Sequence, residues 1–236
     1  MEEATQPKAI RLSMMRRTIA RRMTQSWETS PRVTYHMPVD AGNIADYRHS
    51  ANAKLAGENI KITYNHIIMK AVATALMEMP EINASITEKE LLLHPHANIG
   101  LAVAVPGGLI VPNVKCCEQK DLRRIAVETQ AIIASVLEGK INPADLSGAT
   151  FTITNLGQFG VTAFSPIINQ PELAILGVCA IADTPVVADG GITIRPMMGF
   201  SLTADHRAVD GTEAAKFLSR IRTLLEHPLS HACFAL

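Results

Sequence analysis

The sequence lacks both an excess of charge of one sign and a long apolar run. Its 236 residues include 22 basic and 22 acidic side chains, so electrostatics gives no reason to expect nucleic acid or an anionic membrane surface as a partner. A helix that spans a bilayer needs about 20 consecutive apolar residues, and no run approaches that length. We therefore expect neither nucleic acid nor a membrane among the partners of this chain.

Cysteine is scarce, and its spacing excludes two further classes of protein. The four cysteines are Cys116, Cys117, Cys179 and Cys233. They lack the paired spacing of a zinc site or of a disulfide framework, and residues 1–5 do not resemble a secretory signal. His94 and His96 flank a proline without further ligands, which is typical of a loop. We expect no metal, reduced thiols, and a location in the bacterial cytoplasm or an organelle matrix.

The sequence does contain enough apolar residues for a substantial core, at 47% of the chain. Apolar residues at helical spacing predict five helices. The first begins at Ser13 and ends before Pro31, and the other four lie over 43–56, 62–79, 121–139 and 212–226. Alternating or continuous apolar runs predict strands. These lie at 33–39, within 82–93, and at 97–105, 109–114, 149–157, 173–182 and 198–202.

Turn residues complete this outline of the chain. Residues 106–108 and 189–191 predict hairpins, because glycine suits tight turns between strands. Residues 166–172 are interpreted as a rigid turn. No linker-like stretch interrupts 13–236, which predicts a single domain there, and the polar residues 1–12 are interpreted as a flexible arm or the remnant of a linker.

The first predicted helix is amphipathic and basic. Its apolar residues recur at helical spacing, with arginines between them. The apolar set is Met15, Ile19, Met23 and Trp27, and the basic set is Arg16, Arg17, Arg21 and Arg22. Such a face is either solvated or used for ion pairing.

A histidine lies at the junction between the last predicted strand and the last predicted helix, in the segment 204–211. His206 precedes Asp210 by four residues, and Glu213 follows Asp210 by three. An imidazole at such a junction can move protons near neutral pH. Asp210 with Glu213 also fits a capping box, in which the carboxylate only caps the helix. The residues alone leave both interpretations open.

Several segments together carry a family resemblance over nearly the whole chain. They are 13–20, 108–112, 151–157, 166–169, 174–177 and 205–211. In this order and spacing they resemble the catalytic domain of the dihydrolipoyl acyltransferase components of 2-oxo-acid dehydrogenase complexes, relatives of chloramphenicol acetyltransferase. The resemblance implies an α/β fold, an α+β two-layer sandwich with a mixed sheet covered by helices, for an acyltransferase catalytic domain at 13–236.

The resemblance also implies roles for individual residues. His206 would be the general base, and Thr154 of the neighbouring subunit would donate a hydrogen bond to the developing oxyanion. Asp210 would fix the geometry around the histidine through an arginine, for which Arg16 is the first candidate and Arg17 the second. From the residues alone, Thr154 is equally an ordinary β-branched strand residue.

Substrates and partners follow from the same resemblance. It implies acyl transfer between coenzyme A and a lipoyl group that is carried on a domain absent from this chain. Residues 158–166 are closer to the acetyl-transferring members. It further implies a homotrimer that assembles into a cubic or dodecahedral core, with the apolar segment 232–236 as an anchor. Oxo-acid decarboxylase-dehydrogenase and dihydrolipoamide dehydrogenase components would bind through the missing domains.

Two alternatives remain beside this function. One is a structural core subunit that no longer catalyses, although a scaffold has no chemical reason to keep His206, Asp210 and Thr154 together. The other is O-acetylation of a small molecule by an enzyme of the same superfamily, which would leave the arginine-rich helix unexplained.

Overall fold

A six-stranded mixed sheet is the centre of the fold in the computed structural model, which describes residues 7, 9–188 and 190–236. The helices are α1 (Met14–Thr29), α2 (Gly42–Lys54), α3 (Tyr64–Glu78), α4 (Leu122–Leu137) and α5 (Gly211–Glu226). The strands are β1 (Arg32–Asp40), β2 (Ala84–Ile86), β3 (Leu91–Leu93), β4 (Ile99–Leu101), β5 (Val103–Val105), β6 (Gly108–Ile110), β7 (Asn113–Val114), β8 (Phe151–Asn155), β9 (Ala174–Ala188) and β10 (Gly191–Asp205). All five predicted helices are confirmed.

The strand order of the main sheet is β1-β10-β9-β8-β4-β7. β4 is parallel to β8, and β8 is parallel to β9. The other neighbouring pairs are antiparallel. The expectation of a mixed sheet is confirmed, and β9 lies at its centre, as its apolar run predicts. The hairpin across 106–108 is also confirmed, but β5 and β6 form a separate two-stranded sheet.

β9 and β10 are longer than predicted, at 15 residues each. Only the first six residues of β9 are buried, and the remainder pairs with β10 as a ribbon whose exposed apolar side chains include Val187 and Ile192. Backbone pairing sustains this ribbon where the apolar pattern ends. The predicted turn at 189–191 includes Asp189, which lies outside the described residues, and Gly191 pairs with Ala188 on the other side of it.

Helices cover one face of the main sheet. α3 is apolar nearly all round and packs against α5, α4 and α2. Phe151 of β8 meets Phe217 of α5, with ring centroids 5.6 Å apart, and Ile153 is also fully buried. Because side chains alternate along a strand, Thr152 and Thr154 point to the opposite face of β8. That face carries the candidate site.

α1 begins as predicted, because the Ser13 hydroxyl accepts a hydrogen bond from the Arg16 amide at 3.1 Å. Only Ser26 of this helix is buried. Of the predicted apolar face, Met15 and Trp27 are exposed, Trp27 at 61%, while Ile19 and Met23 are half-buried. The Arg32 guanidinium lies over the Trp27 ring, 3.3 Å from its centroid.

One residue of the C-terminal segment is buried in the chain's own core. Phe234 is 3% exposed in the chain's own core, because a short 3₁₀ turn brings it against Tyr47, whose hydroxyl donates to the Phe234 carbonyl. The role of 232–236 as an apolar anchor of the assembly stays a prediction, with Phe234 buried in its own chain. The predicted arm at 1–12 lies largely outside the described residues. None of the helices in the described ranges is long and apolar enough to cross a membrane.

Candidate active site

His206 lies directly after the last residue of β10, on the turn that leads into α5. Its amide donates to the Pro31 carbonyl at 2.8 Å, which joins the turn to the chain just before β1. The amides of Ala208 and Val209 both donate to the Asp205 carbonyl. These bonds fix the backbone of the turn, while the His206 side chain is 42% exposed. The imidazole is thus accessible on a rigid support.

An ion pair with a buried carboxylate holds the same turn. The Asp205 side chain is fully buried, and it accepts hydrogen bonds from the Arg207 amide, Nε and Nη2, the last at 2.6 Å. Burial alone would raise the pKa of Asp205, but the bonds from Arg207 and from Ser30 outweigh it and lower that pKa. Asp205 is therefore a carboxylate at neutral pH. Sequence reasoning missed this pair, because an Asp two residues before an Arg is common on surfaces.

Asp210 is the N-cap of α5 and forms the predicted capping box with Glu213, whose carboxylate accepts from the Asp210 amide at 3.0 Å. Its Oδ1 lies 3.7 Å from His206 Nδ1, which is longer than a hydrogen bond. With its side chain 79% exposed, Asp210 can influence His206 electrostatically. Its role in the site remains a prediction.

Arg16 does not reach Asp210 within one chain. Its guanidinium donates to the Gly107 carbonyl at 3.0 Å, and α1 rests there on the β5–β6 hairpin. None of the ion pairs in the described part of the chain joins Asp210 to Arg16 or Arg17. The pairing of Asp210 with Arg16 or Arg17 stays a prediction.

Thr154 lies near the end of β8 and lines a cavity of about 250 Å³. The residues around it come from α1, the chain about the β5–β6 hairpin, β8, β9 and the irregular segment 161–171. The cavity is lined by Met23, Ala102, Leu109, Val111, Thr152, Thr154, Phe164, Pro166, Ile167, Asn169 and Ile175. Thr154 thus presents a hydroxyl in a mostly apolar cavity, where a hydrogen-bond donor is worth more than in water.

Glycine at position 177 allows this cavity to form. Gly177 pairs with Thr154 across β8 and β9, and a Cβ on it would lie 2.7 Å from Cζ of Phe164. The absence of a side chain lets the Phe164 ring lie against the sheet beside Thr154. The segment 161–171 can therefore cover the strands as one wall of the cavity.

The structure does not bring His206 and Thr154 together in one chain. Thr154 pairs with Gly177, and Gly177 pairs with Ser201, while His206 comes five residues after Ser201. Two strand spacings of about 4.8 Å and five residues of about 3.3 Å place the backbone of the two residues on the order of 19 Å apart. A hydrogen-bonded or reacting arrangement of both residues therefore needs more than one chain.

A larger cavity of about 760 Å³ adjoins the end of β8 from the other face of the sheet. Asn155 lines it, next in sequence to Thr154, and so points to the opposite side. Asn155 Nδ2 donates to Asn65 Oδ1 at 2.7 Å. Ala102 lines both cavities, so the two spaces approach each other near the end of β8.

Glu172 is a residue near the site that sequence reasoning placed only in a turn. It is 2% exposed, and its Oε1 accepts hydrogen bonds from Thr152 Oγ1 and Asn169 Nδ2. Both partners line the cavity beside Thr154. A carboxyl group directly before the apolar run of β9 is the only signal for it in the sequence.

Three side chains outside this site could together hold a metal ion. His96, Cys116 and Glu118 bring their ligand atoms within 4.8 Å of one another, although the sequence predicts no metal. His96 Nδ1 and Glu118 Oε1 are already joined by a hydrogen bond of 2.8 Å. The cluster lies beside β4, three strands away from β10 in the sheet, and is separate from His206.

Two curated proteins are similar in sequence over most of this chain. The acetyltransferase component of the pyruvate dehydrogenase complex of Bacillus subtilis is 39% identical over 220 residues, which cover 92% of this chain and 50% of that protein. The succinyltransferase component of the 2-oxoglutarate dehydrogenase complex of Haemophilus influenzae is 35% identical over 226 residues, 95% of this chain and 55% of that protein. The chain thus spans about half the length of these curated relatives.

Solved structures show the same fold. The dihydrolipoamide acetyltransferase of Azotobacter vinelandii superposes with a TM-score of 0.92 at 31% identity, covering 95% of this chain and 93% of that chain. The cubic core of a pyruvate dehydrogenase multienzyme complex gives a TM-score of 0.93 at 31% identity, with coverage of 96% and 94%. Chloramphenicol acetyltransferase shares the fold at 13% identity, with a TM-score of 0.55 and coverage of 87% and 94%.

The family profile of the 2-oxoacid dehydrogenases acyltransferase (catalytic domain) matches residues 4–232. This match covers β1 to α5 and includes both the turn of His206 and the strand of Thr154. The chain therefore belongs to the family of 2-oxoacid dehydrogenase acyltransferase catalytic domains.

Proposed function

We propose that this chain transfers an acetyl group between dihydrolipoamide and coenzyme A. The observation that carries the proposal is the accessible imidazole of His206 on a turn fixed by the buried Asp205–Arg207 pair. Acetyl is the proposed group because the acetyltransferase relatives reach 39% identity and the succinyltransferase relative 35%. The difference between these identities is small, so the acyl group is part of the test.

His206 is the proposed general base. Its imidazole removes the proton from the thiol of coenzyme A, and the sulfur attacks the carbonyl carbon of the acetyl-lipoyl thioester. The bond between that carbon and the lipoyl sulfur then breaks, and the imidazolium returns the proton to the departing sulfur. In the reverse direction, the lipoyl thiol gives its proton to the same imidazole. No redox partner or metal is needed, because one thioester is exchanged for another.

Thr154 is the proposed donor to the oxyanion that forms during this attack. A hydroxyl held where negative charge develops stabilises the transition state more than the substrate. The two cavities that adjoin the end of β8 support entry of the two thiol substrates from opposite sides. The larger, at about 760 Å³, has the size of a typical site for an extended small-molecule ligand.

A homotrimer is the proposed active unit, with His206 and Thr154 supplied by neighbouring subunits. The separation of these residues within one chain supports this arrangement. Exposed apolar residues also support it, because patches on α1 and on the β9–β10 ribbon are typical of surfaces that a partner covers. They include Met14, Met15, Trp27, Val187, Ile192 and Ile194.

Further assembly and partners follow from the family as proposals. Trimers would build a larger core, as the similarity to a cubic core supports. The lipoyl group would arrive on a separate lipoyl domain, and the decarboxylase-dehydrogenase and dihydrolipoamide dehydrogenase components would bind through other domains. The cytoplasm of a bacterium or an organelle matrix is the proposed location.

The test is an assay of acetyl transfer from acetyl-coenzyme A to free dihydrolipoamide. We expect the unmutated chain to be active, with acetyl preferred over succinyl and branched acyl groups. His206→Ala should lower kcat about a hundredfold or more, the scale of losing a general base, while the exposed control His49→Ala should not. An inactive unmutated chain would favour a structural scaffold, and full activity of His206→Ala would refute the mechanism.

A further inference from the structure

Two buried carboxyl groups lie close to the proposed active site, and only one has a cation. Asp205 is paired with Arg207. Glu172 has no ion pair among the described residues, and its two hydrogen-bond donors, Thr152 at 2.9 Å and Asn169 at 2.7 Å, are uncharged. Both donors bind Oε1, while the buried Oε2 has no partner in the described part of the chain. One oxygen of Glu172 thus carries both bonds, and the other lies buried with no cation beside it in the described part of the chain.

The surroundings of Glu172 agree with a neutral group. Burial raises its pKa to about 8, against the opposing effect of the bonds from Thr152 and Asn169. On the packed side, its backbone pairs with Ser85 of β2, whose hydroxyl contacts His94 at 2.8 Å. Burial lowers the pKa of His94, so this imidazole supplies no cation at neutral pH.

Asp205 is linked to the segment that precedes Glu172 through neutral side chains. Gln170 bonds to the Ser30 hydroxyl, Ser30 helps to lower the pKa of Asp205, and the charge of Asp205 is balanced by Arg207. At pH 7 the Glu172 carboxyl therefore keeps its proton, with Oε1 as an acceptor and Oε2 as a spare donor.

The bonds of Glu172 join the two sides of the cavity beside Thr154. Thr152 lies two residues before Thr154 on β8, so both side chains face the same side of the sheet. Asn169 belongs to the segment 161–171, which has neither helix nor strand and forms the opposite wall. Ser26 of α1 holds the same segment through the Ile168 carbonyl at 2.7 Å. One carboxyl group thus fastens an irregular wall to the strand that carries the proposed oxyanion donor.

We propose that Glu172, as a neutral carboxylic acid, is a positioning residue for acyl transfer: it holds Thr152 and Asn169 so that the Thr154 hydroxyl keeps its place in the cavity. This inference rests on the proposed function of the site. Glu172 acts through other residues and transfers no proton itself. A displacement of about 1 Å in such a site can cost a factor of a hundred in rate.

Substitution by glutamine separates a neutral acid from a carboxylate. Glu172→Gln keeps an acceptor at Oε1, replaces the spare O–H by N–H, and cannot ionise. We expect its kcat for acetyl transfer at pH 7 to stay within about threefold of the unmutated chain, while Glu172→Ala loses about tenfold or more. The KM for coenzyme A should change in neither. Glu138→Gln, at an exposed carboxyl group, is the matched control.

The pH profile gives a second reading on the same proteins. Between pH 7 and 9.5, the ratio of the unmutated rate to the Glu172→Gln rate should fall about tenfold, because only the unmutated group ionises. The thiol substrates titrate in the same way in both assays, so their effect on the rate cancels in this ratio. Thr152→Val, which deletes one donor without changing side-chain size, should lower kcat even if Glu172→Ala fails to fold.

Each outcome decides the inference. A Glu172→Gln variant as impaired as Glu172→Ala would mean that Glu172 acts as an anion, and a flat rate ratio or a fully active, folded Glu172→Ala would remove the positioning role. Each of these overturns the inference while the proposed function stands. An unmutated chain without transfer activity overturns the proposed function, and the inference with it.

Discussion

Arg207 binds both carboxylate oxygens of Asp205, with Nη2 2.6 Å from Oδ2 and Nε 3.0 Å from Oδ1. The carboxylate is fully buried, whereas the guanidinium side chain is 40% exposed. The two residues flank His206 in the sequence, so this pair determines how the turn presents the imidazole. Removing Arg207 leaves a buried carboxylate that water cannot hydrate. Removing Asp205 leaves a guanidinium that water can hydrate.

Arg207→Gln leaves a buried carboxylate without a cation, and we expect it to lower the free energy of unfolding by about 3 kcal/mol. Arg207→Lys should lose less, since an ammonium group can replace one bond of the bidentate pair but not both. Urea unfolding at pH 7 measures both. The exposed pair of Arg124 and Glu128 supplies the control, because Arg124→Gln should cost less than about 1 kcal/mol.

The same variants carry a pH signature. The folded pKa of Asp205 is lowered from 3.8, so its contribution to stability is complete above that value and is lost as the pH falls through the folded pKa. The deficit of Arg207→Gln should therefore be largest near neutral pH and shrink below about pH 4. A deficit that does not depend on pH would mean that Arg207 stabilises the turn by packing alone.

Mixing two inactive variants tests whether neighbouring chains share one active site. His206→Ala retains Thr154, and Thr154→Val retains His206. In randomly mixed trimers, about one interface in four combines the two intact residues, so co-expression should restore about a quarter of the unmutated activity. Acetyl transfer by the purified mixture measures this, with each variant alone as the control. If the site lay within one chain, no mixture would recover activity.

Much of this architecture follows from local pattern. The helices α3, α4 and α5 each bury one side or more, which imposes the helical period that the sequence displays. The sequence also predicts the centre of the sheet, because β9 begins as a continuous apolar run. The junction at His206 combines a strand, a turn and a capping box, all visible between Met198 and Glu213.

The remaining features depend on tertiary structure. The distance between His206 and Thr154 follows from the strand order β10-β9-β8 and its register, which no local pattern encodes. The burial of Glu172 depends on the packing of β8 against an irregular segment, and a glutamate is ordinarily a surface residue. Phe234 belongs to an apolar tail in the sequence, yet the short turn over Ala232–Phe234 returns its ring to the core.

Glu172 makes stability depend on pH in the direction opposite to Asp205. Burial raises the pKa of Glu172 from an ordinary value of 4.5 to about 8 in the folded chain, so the folded state keeps a proton that the unfolded state releases. Its contribution is complete below pH 4.5 and falls as the pH rises toward 8. Relative to Glu172→Gln, the unmutated chain should lose up to a few kcal/mol between pH 5 and pH 8. Denaturant unfolding at both values measures the difference, and parallel curves would contradict it.

Gly177→Ala tests the close approach that shapes the cavity. The new methyl group would lie 2.7 Å from Phe164 Cζ and 3.2 Å from the Ser201 carbonyl oxygen, so the ring must move away from β9. Overpacking of this kind costs about 1–3 kcal/mol. It should also lower kcat for acetyl transfer, because the displaced ring lines the same cavity as Thr154.

Two further variants make this last result specific. Gly191→Ala lies on the exposed β9–β10 ribbon, where a Cβ would meet only the Ala188 carbonyl oxygen, at 3.9 Å, among the described residues, and it should change stability by no more than about 0.5 kcal/mol. Combining Gly177→Ala with Phe164→Leu removes the ring that clashes, and should recover part of both stability and kcat. If the double variant is as impaired as Gly177→Ala alone, the contact with the Ser201 backbone determines the effect, and Phe164 does not.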